Sequence, residues 1–245
     1  MTLETVDYPI IEAVCEFKPA SDTKWDLTIP GLIYRELGDT FPEKEERSLQ
    51  NVEIKPTEKG LQQKLTRDNR VLFFMPDKKI FFQIGKKVMA IHCVKPYPKW
   101  GQFKPTIAKV YNTLRGIVAF DNLERIGLRY INRIEIPNSP TALKESFEFR
   151  PSLSEDLLGN LNSFFLGCEF NFSEGNDSCR VQLTKTDSEG PDTLAFILDI
   201  DYFLSKANSV TADNALDWVE KAKGHVNDIF KKCITEKLKN SFKEV

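Results

Sequence analysis

The stretch from Arg125 to Pro137, RIGLRYINRIEIP, constrains the fold more strongly than any other short segment of the chain. Successive side chains of a β-strand point to opposite faces of the sheet, and this stretch alternates with that period. One set of alternate positions is mostly apolar: Ile126, Leu128, Tyr130, Asn132 and Ile134. The other set carries Arg125, Arg129 and Arg133. The alternation predicts a strand with one face in the core and one face rich in arginine.

Composition excludes several classes of protein. The chain has 245 residues, which allows one large domain or two small ones that share a core. The formal net charge of -2 creates no overall field for nucleic acid or an anionic membrane, so we expect neither as the main partner. We find no secretory signal and no apolar run near the roughly 20 residues that span a bilayer. We therefore expect a cytoplasmic protein.

The residues that usually carry chemistry are sparse. The five cysteines are widely spaced and lack a C-x-x-C pair, which favours reduced thiols in the core. The two histidines, His92 and His225, have no partner at a spacing typical of a metal centre or a Ser-His-Asp triad. Phosphate-binding glycine loops and the common hydrolase motifs are also missing. The sequence therefore predicts no catalytic residue, no metal and no cofactor.

The order of predicted elements indicates an α+β fold. The elements are a strand at 10–19, a short helix from Pro30, an antiparallel meander over 49–95, a helix over 103–118, the strand at 125–137, a short helix after Ser154, three more strands and a long helix from Asp213 to Phe242. Antiparallel strands with helices on one face define this class. We expect a strongly bent antiparallel sheet packed against helices and wrapped around the terminal helix.

The meander and the chain halves carry further expectations. The charged segment 41–48 predicts a loop, whereas VLFFM and IFFQI predict central strands because exposed edges of that composition aggregate. Turns are expected at 58–60, at 67–69 and at Pro76-Asp77. Each half of the chain places a helix after a meander, which suggests two related lobes, 1–137 and 138–245, that share one core.

Five segments together resemble a known family. They are DYPIIEAVCEFK, FFQIGKKVMAIHCVKPYPKWGQF, LERIGLRYINRIEIP, LAFILDIDY and AKGHVNDIFKKCITEKL, in this order. The series resembles a sporadically distributed family of prokaryotic proteins of about this length that share an "iGLRYiNrI" strand. The resemblance implies no defined activity. The patchy distribution of the family resembles that of genes in mobile or defence-associated islands, which implies a role in antiviral defence.

The arginine side of the strand at 125–137 is the first candidate site. Arg125, Arg129 and Arg133 recur at every fourth position, and Glu135 lies on the same side. Guanidinium groups can bind phosphates or carboxylates of a ligand or a partner protein through paired hydrogen bonds. The alternative is a solvated sheet face on which each arginine pairs with an acid of a neighbouring strand.

Two other features concern the apolar side. Tyr97 and Trp100 precede the helix over 103–118 and predict either an exposed aromatic anchor for a partner or a staple that packs the helix start on the sheet. Asn132 interrupts the apolar set, and a buried amide without a partner costs about 1–3 kcal/mol. We expect its side chain to bind the backbone of the bend at 97–101.

Four carboxylates suggest an alternative metal site. Glu12 and Glu16 lie on one side of the first strand, and Asp199 and Asp201 lie on one side of a later strand. If the sheet closed into a tunnel, these acids could hold Mg²⁺ while the arginines held a polyphosphate. Tunnel-type triphosphate hydrolases have this arrangement, but their E-x-E-x-K signature is absent.

The sequence favours a non-enzymatic interaction protein that binds the product of a neighbouring gene and could also bind itself. The first alternative is the metal-dependent phosphohydrolase. The second is a nucleic-acid-binding accessory protein, which requires the arginine side to be continuous with four lysines: Lys78, Lys79, Lys86 and Lys87.

Overall fold

The computed structural model describes residues 9–20, 22–57, 60–86 and 88–242. Nine strands form one sheet. The strands are β1 Ile10–Pro19, β2 Glu43–Thr57, β3 Gly60–Phe74, β4 Ile80–Gly85, β5 Val88–Val94, β6 Leu123–Pro137, β7 Phe165–Phe172, β8 Asp177–Thr186 and β9 Thr193–Leu204. The helices are α1 Ile29–Leu37, α2 Trp100–Ile117, α3 Ala142–Ser146, α4 Glu155–Gly159, α5 Ala215–Cys233 and α6 Glu236–Ser241.

The sheet is antiparallel and open. Its order is β2-β3-β4-β5-β1-β6-β9-β8-β7, so β1 and β6 meet near the centre and β2 and β7 form the edges. Strands β3 and β4 each have a neighbour on both sides, which confirms that VLFFM and IFFQI are central. The α+β class is confirmed, whereas the strong bend and the two related lobes stay predictions. Buried side chains from 1–137 and from 138–245 form one hydrophobic cluster.

The helices cover one face of the sheet, here called the helix face. The ring of Tyr111 on α2 packs 4.5 Å from that of Phe17 on β1, and α5 contacts β6 and β9. The apolar positions of β6 point to this face, and all of them are buried, as their alternation predicts. The opposite face, which these helices do not contact, is called the open face. It carries the arginine side of β6.

Two predictions about the meander are wrong. The charged segment 43–48 belongs to β2, because its backbone pairs with β3 in an unbroken register while its side chains stay in solvent. Residues 67–69 are not a turn, since β3 runs through them opposite Gln50, Leu49 and Ser48. Strand pairing over a long ribbon outweighs the weak local preference of these polar residues. The turn at Pro76-Asp77 is present between β3 and β4. Residues 58 and 59 lie outside the described part of the chain.

The terminal helix is shorter than predicted. Helix α5 ends at Cys233, and Thr235 is extended before α6 begins. The Thr235 hydroxyl accepts a hydrogen bond from the Leu238 N–H, which is the geometry of an N-cap. The buried Ile234 forms a bridge with Phe147 across the break. The strand-like contact of Ile234 therefore ends α5, and the capping threonine begins α6, inside an apolar pattern that looks continuous in the sequence.

Candidate functional site

The open face places acidic side chains on both sides of the arginine strand. Strand β1 lies on one side of β6 with Glu12 and Glu16, and β9 lies on the other with Asp199 and Asp201. The structure therefore brings the arginines and the four carboxylates predicted from sequence to the same surface. Antiparallel pairing places acids of adjacent strands within reach of Arg125 and Arg129, whereas Arg133 pairs with Glu135 on its own strand.

Arg125 bridges the two flanking strands. Its Nε donates to Glu16 Oε1 at 3.1 Å, and its Nη2 donates to Asp201 Oδ2 at 3.0 Å. The guanidinium carbon lies 4.2 Å from the centre of the Phe203 ring, which adds a cation–π contact. Burial raises the pKa of the Asp201 carboxyl, and the nearby Arg125 and Arg129 partly offset that rise. Arg125 thus links β1, β6 and β9.

Arg129 makes the tightest ion pair of the open face. Its Nε and Nη2 donate to the two oxygens of Asp199 at 2.8 and 2.5 Å. The Asp199 residue is only 8% exposed, whereas the side chain of Arg129 is 45% exposed. The hydrogen bonds that Arg129 donates to Asp199 raise the pKa of the guanidinium. A paired, two-point contact of this kind holds the guanidinium in one orientation.

Arg133 is also engaged. Its Nη2 donates to Glu135 Oε1 at 2.8 Å and to the carbonyl oxygen of Asp187 at 2.8 Å. It therefore fixes the loop between β8 and β9 to the end of β6. Each of the three arginines predicted from sequence has an acidic partner from this chain, which is the arrangement expected of a solvated sheet face.

A second polar chain continues the open face toward β4. His92 Nδ1 lies 2.8 Å from Glu12 Oε1, and His92 Nε2 lies 3.1 Å from the amide nitrogen of Gln83. The imidazole stacks on the Phe81 ring at 4.6 Å between centroids. The hydrogen bond from His92 lowers the pKa of Glu12. Glu12 is therefore an ionised acceptor held by its neighbours.

This arrangement does not resemble a metal site. Arg125 lies between Glu16 and Asp201, and Arg129 occupies both oxygens of Asp199. Among the described residues, no group of three or more histidine, cysteine, aspartate and glutamate side chains could hold a metal ion. The sheet is open, so these strands do not form the tunnel on which the phosphohydrolase alternative depends.

Tyr97 and Trp100 lie away from the arginines, on the helix face. Tyr97 hydrogen-bonds through its hydroxyl to the Tyr130 hydroxyl at 2.8 Å. Trp100 donates from Nε1 to Glu220 Oε2 at 3.1 Å, and both rings pack edge-on to Phe103. They are half-buried against the core, which is the packing of a helix-start staple.

Asn132 does not bind the bend at 97–101, so that prediction is wrong. Its amide nitrogen donates to the carbonyl oxygens of Leu198 at 3.0 Å and of Tyr130 at 3.4 Å. The buried amide therefore ties β6 to the neighbouring strand β9. The two strands are paired at this position, so the carbonyl oxygens within reach of the amide belong to the sheet.

Sequence reasoning missed Lys223. This residue of α5 is 8% exposed, and its Nζ lies 4.1 Å from the centre of the Tyr130 ring and 5.9 Å from that of Trp100. The Nζ donates to Asn227 Oδ1 at 2.8 Å. Burial lowers the pKa of the ammonium to about 8. The sequence signal that could have identified Lys223 as buried is its position beside Ala222 and one turn before Val226, in the apolar stripe of the helix.

The lysines required by the nucleic-acid alternative are divided between the two ends of β4. Lys78 lies in the β3–β4 turn and pairs with Glu43 at 2.8 Å, and Lys79 follows it. Lys86 follows the other end of β4, and residue 87 lies outside the described part of the chain. The lysines that the structure describes therefore do not form one patch.

Comparisons with known proteins add no assignment. No protein-family model matches the chain, and no curated protein matches it. The resemblance carried by the strand at 125–137 therefore stays a prediction. Within the described residues, no helix is both long and apolar enough to cross a membrane.

Proposed function

We propose that the chain is a non-enzymatic interaction protein whose open face binds a partner protein in the cytoplasm. The observation that carries the proposal is the state of the charged groups on that face. The arginines and carboxylates of this face are paired with one another, which gives a surface of mixed charge suited to recognition of a protein. The partner we expect is the product of a neighbouring gene, within a defence or mobile-element system.

The mixed charge of the open face favours protein over nucleic acid. Binding to a phosphate backbone depends on unneutralised cations that displace counterions. Here each arginine of β6 lies beside a carboxylate that would repel a phosphate. Protein interfaces, in contrast, commonly combine arginine with apolar groups and a polar rim.

Apolar side chains lie between the ion pairs. Val14 on β1, Ile131 on β6 and Ile197 on β9 are each partly exposed on the open face. Ile131 lies directly opposite Glu12 on one neighbouring strand and Asp199 on the other. A partner that covers this centre would bury the apolar groups and leave the ion pairs intact. Apolar burial would then favour binding, and no charge would be buried without its partner.

The test is affinity co-purification of the chain with the products of adjacent genes. An Ile131→Lys variant places an ammonium between the carboxylates of Glu12 and Asp199, so we expect the fold to tolerate the substitution. The same ammonium puts a positive charge at the centre of the open face. We expect this variant to lose the partner. The matched control is Leu27→Lys, which makes the same change at a fully solvated residue, 93% exposed, in the segment before α1.

Equal recovery of the partner with both variants would remove the open face as the binding surface. Failure of wild-type protein to retain any product of a neighbouring gene would contradict the proposed class of partner.

A further inference from the structure

The two edges of the sheet differ in the way they meet solvent. An edge strand has a row of unpaired N–H and C=O groups, and natural proteins usually protect it with charges, proline or a bulge. The outer strand β2 follows this rule, because all five residues of its first run, 43–47, are charged and exposed: Glu43, Lys44, Glu45, Glu46 and Arg47. The outer strand β7 does not follow it.

Strand β7 reads FLGCEFNF and carries a single charge, Glu169. Six of its eight residues are exposed, including Phe165 at 67% and Phe170 at 44%. Its register with β8 is unbroken from Phe165 to Phe172, so no bulge twists the edge away. In the described part of the chain, no strand pairs with the outer side of β7.

The helix layer reaches the end of β7, where the Phe172 ring centroid lies 5.8 Å from that of His225 on α5, but it leaves Cys168 and Phe170 exposed. Leu166, Cys168 and Phe170 lie opposite Leu183, Val181 and Cys179, which are buried on the helix face. On β7 the helix face is not covered at these positions, because Cys168 and Phe170 are exposed to solvent. Cys168 is therefore the exception to the prediction of core thiols, since the other four cysteines are buried.

We propose that β7 is a homodimer interface, in which the β7 strands of two copies pair antiparallel and join two sheets into one. The strand is self-complementary about Cys168. When Cys168 lies opposite its own copy, Leu166 lies opposite Phe170 and Gly167 lies opposite Glu169. Apolar groups then meet apolar groups along the helix side, and the two glutamates are not opposed.

The neighbouring register centred on Glu169 is less favourable. A shift that centres the pair on Glu169 places two carboxylates directly opposite each other, which is destabilising. The two-fold axis of the favoured pair is perpendicular to the sheet, because the same strand pairs with itself in antiparallel direction. Both open faces consequently lie on the same side of the dimer. The contact is one strand wide, at the low end of interface sizes, so we expect a concentration-dependent dimer.

Sedimentation of the full-length chain between about 1 and 300 µM tests the dimer directly. We expect a reversible shift from monomer toward dimer as concentration rises. The variant Cys168→Lys places two ammonium groups opposite each other and should raise the dimer dissociation constant about tenfold or more. The matched control, Cys168→Ser, should keep the wild-type constant. Position 168 is exposed in the monomer, so both changes are compatible with folding.

Disulfide cross-linking tests the register of the two β7 strands, and it does not depend on whether the Cys168→Lys variant folds. Copper phenanthroline and oxygen convert two opposed thiols to a disulfide, and the two electrons and two protons pass to oxygen. Wild-type protein should give a covalent dimer through Cys168. A Cys168→Ser, Asn171→Cys variant keeps Glu169 and should give much less, because residue 171 is also exposed but faces Phe165 of the other copy. Monomer at every concentration, or a Cys168→Lys dimer of wild-type affinity, would overturn the proposal.

Discussion

Replacement of Lys223 by methionine should stabilise the protein at neutral pH. The ammonium of Lys223 is buried between α5 and β6, with Asn227 as hydrogen-bond acceptor and two aromatic rings nearby. No carboxylate forms an ion pair with it among the described residues. Methionine has a similar length and packs well in irregular apolar sites, so the substitution removes a buried charge without leaving a large cavity.

The magnitude follows from two opposing effects. Burial lowers the pKa of Lys223 from 10.5 to about 8, and at 1.36 kcal/mol for each tenfold change this corresponds to about 3 kcal/mol of unfavourable free energy at neutral pH. The contacts with Tyr130 and Trp100 favour the charged form and recover about 1 kcal/mol. We therefore expect Lys223→Met to raise the free energy of unfolding by about 2 kcal/mol at pH 7.

The sign of the pH dependence is fixed by the lowered pKa. Above pH 10.5 the lysine is neutral in both states, and the wild-type protein carries no penalty. As pH falls from 10.5 to about 8, the unfolded chain binds a proton before the folded chain does, and stability decreases. Below about 8 both states are protonated and the penalty is constant. The advantage of the methionine variant should therefore shrink as pH rises from 8 toward 10.

Urea denaturation at several pH values between 7 and 10 measures this difference. Burial raises the pKa of Tyr97 and Tyr130, which lowers the stability of every variant near pH 10, and the comparison of variants removes that contribution. Lys221→Met is the control, because Lys221 is exposed on the same helix and its replacement should change stability by under about 0.5 kcal/mol. A destabilised Lys223→Met variant, or an advantage that does not vary with pH, would refute the reasoning.

Three further predictions concern the sheet, the last helix and the thiols. Arg129→Met leaves the nearly buried Asp199 without its two-point partner and should lower the free energy of unfolding by about 2 kcal/mol. Asp199→Asn in the same chain should restore part of that loss. Strictly additive effects of the two substitutions in urea denaturation would contradict the pairing. Thr235→Ala removes the cap of α6 and should lower the free energy of unfolding by about 1 kcal/mol, measured by thermal unfolding. Thr235→Ser should lower it less, and equal stability of the two variants would count against the cap. Native protein should expose one thiol, Cys168, to a colorimetric thiol reagent, and reaction of a second thiol before unfolding would show that the core is more open than described.

The features that the sequence predicted correctly are those set by the local chain. The alternation of β6 follows from strand geometry, so its buried and charged sides could be assigned before any partner strand was known. The stripe of α2 behaves in the same way: Phe103, Ile107, Val110 and Leu114 are buried as their spacing predicts.

The features that were missed depend on contacts between distant segments. The strand over 43–57 is stabilised by its pairing with β3, and its own charged residues give no strand signal at 43–47. The ion pairs of Arg125 depend on the order β1-β6-β9, which places Glu16 and Asp201 on opposite sides of it. Local periodicity contains no information about which strands become neighbours, so it could identify the charged side chains but could not pair them.

Calorimetric titration of a co-purified partner against the Ile131→Lys and Leu27→Lys variants tests the central claim most directly. If the open face binds the partner, Leu27→Lys should match the wild-type affinity and Ile131→Lys should weaken binding at least about tenfold, which is about 1.4 kcal/mol. Wild-type affinity for Ile131→Lys, with its fold intact, would contradict the claim.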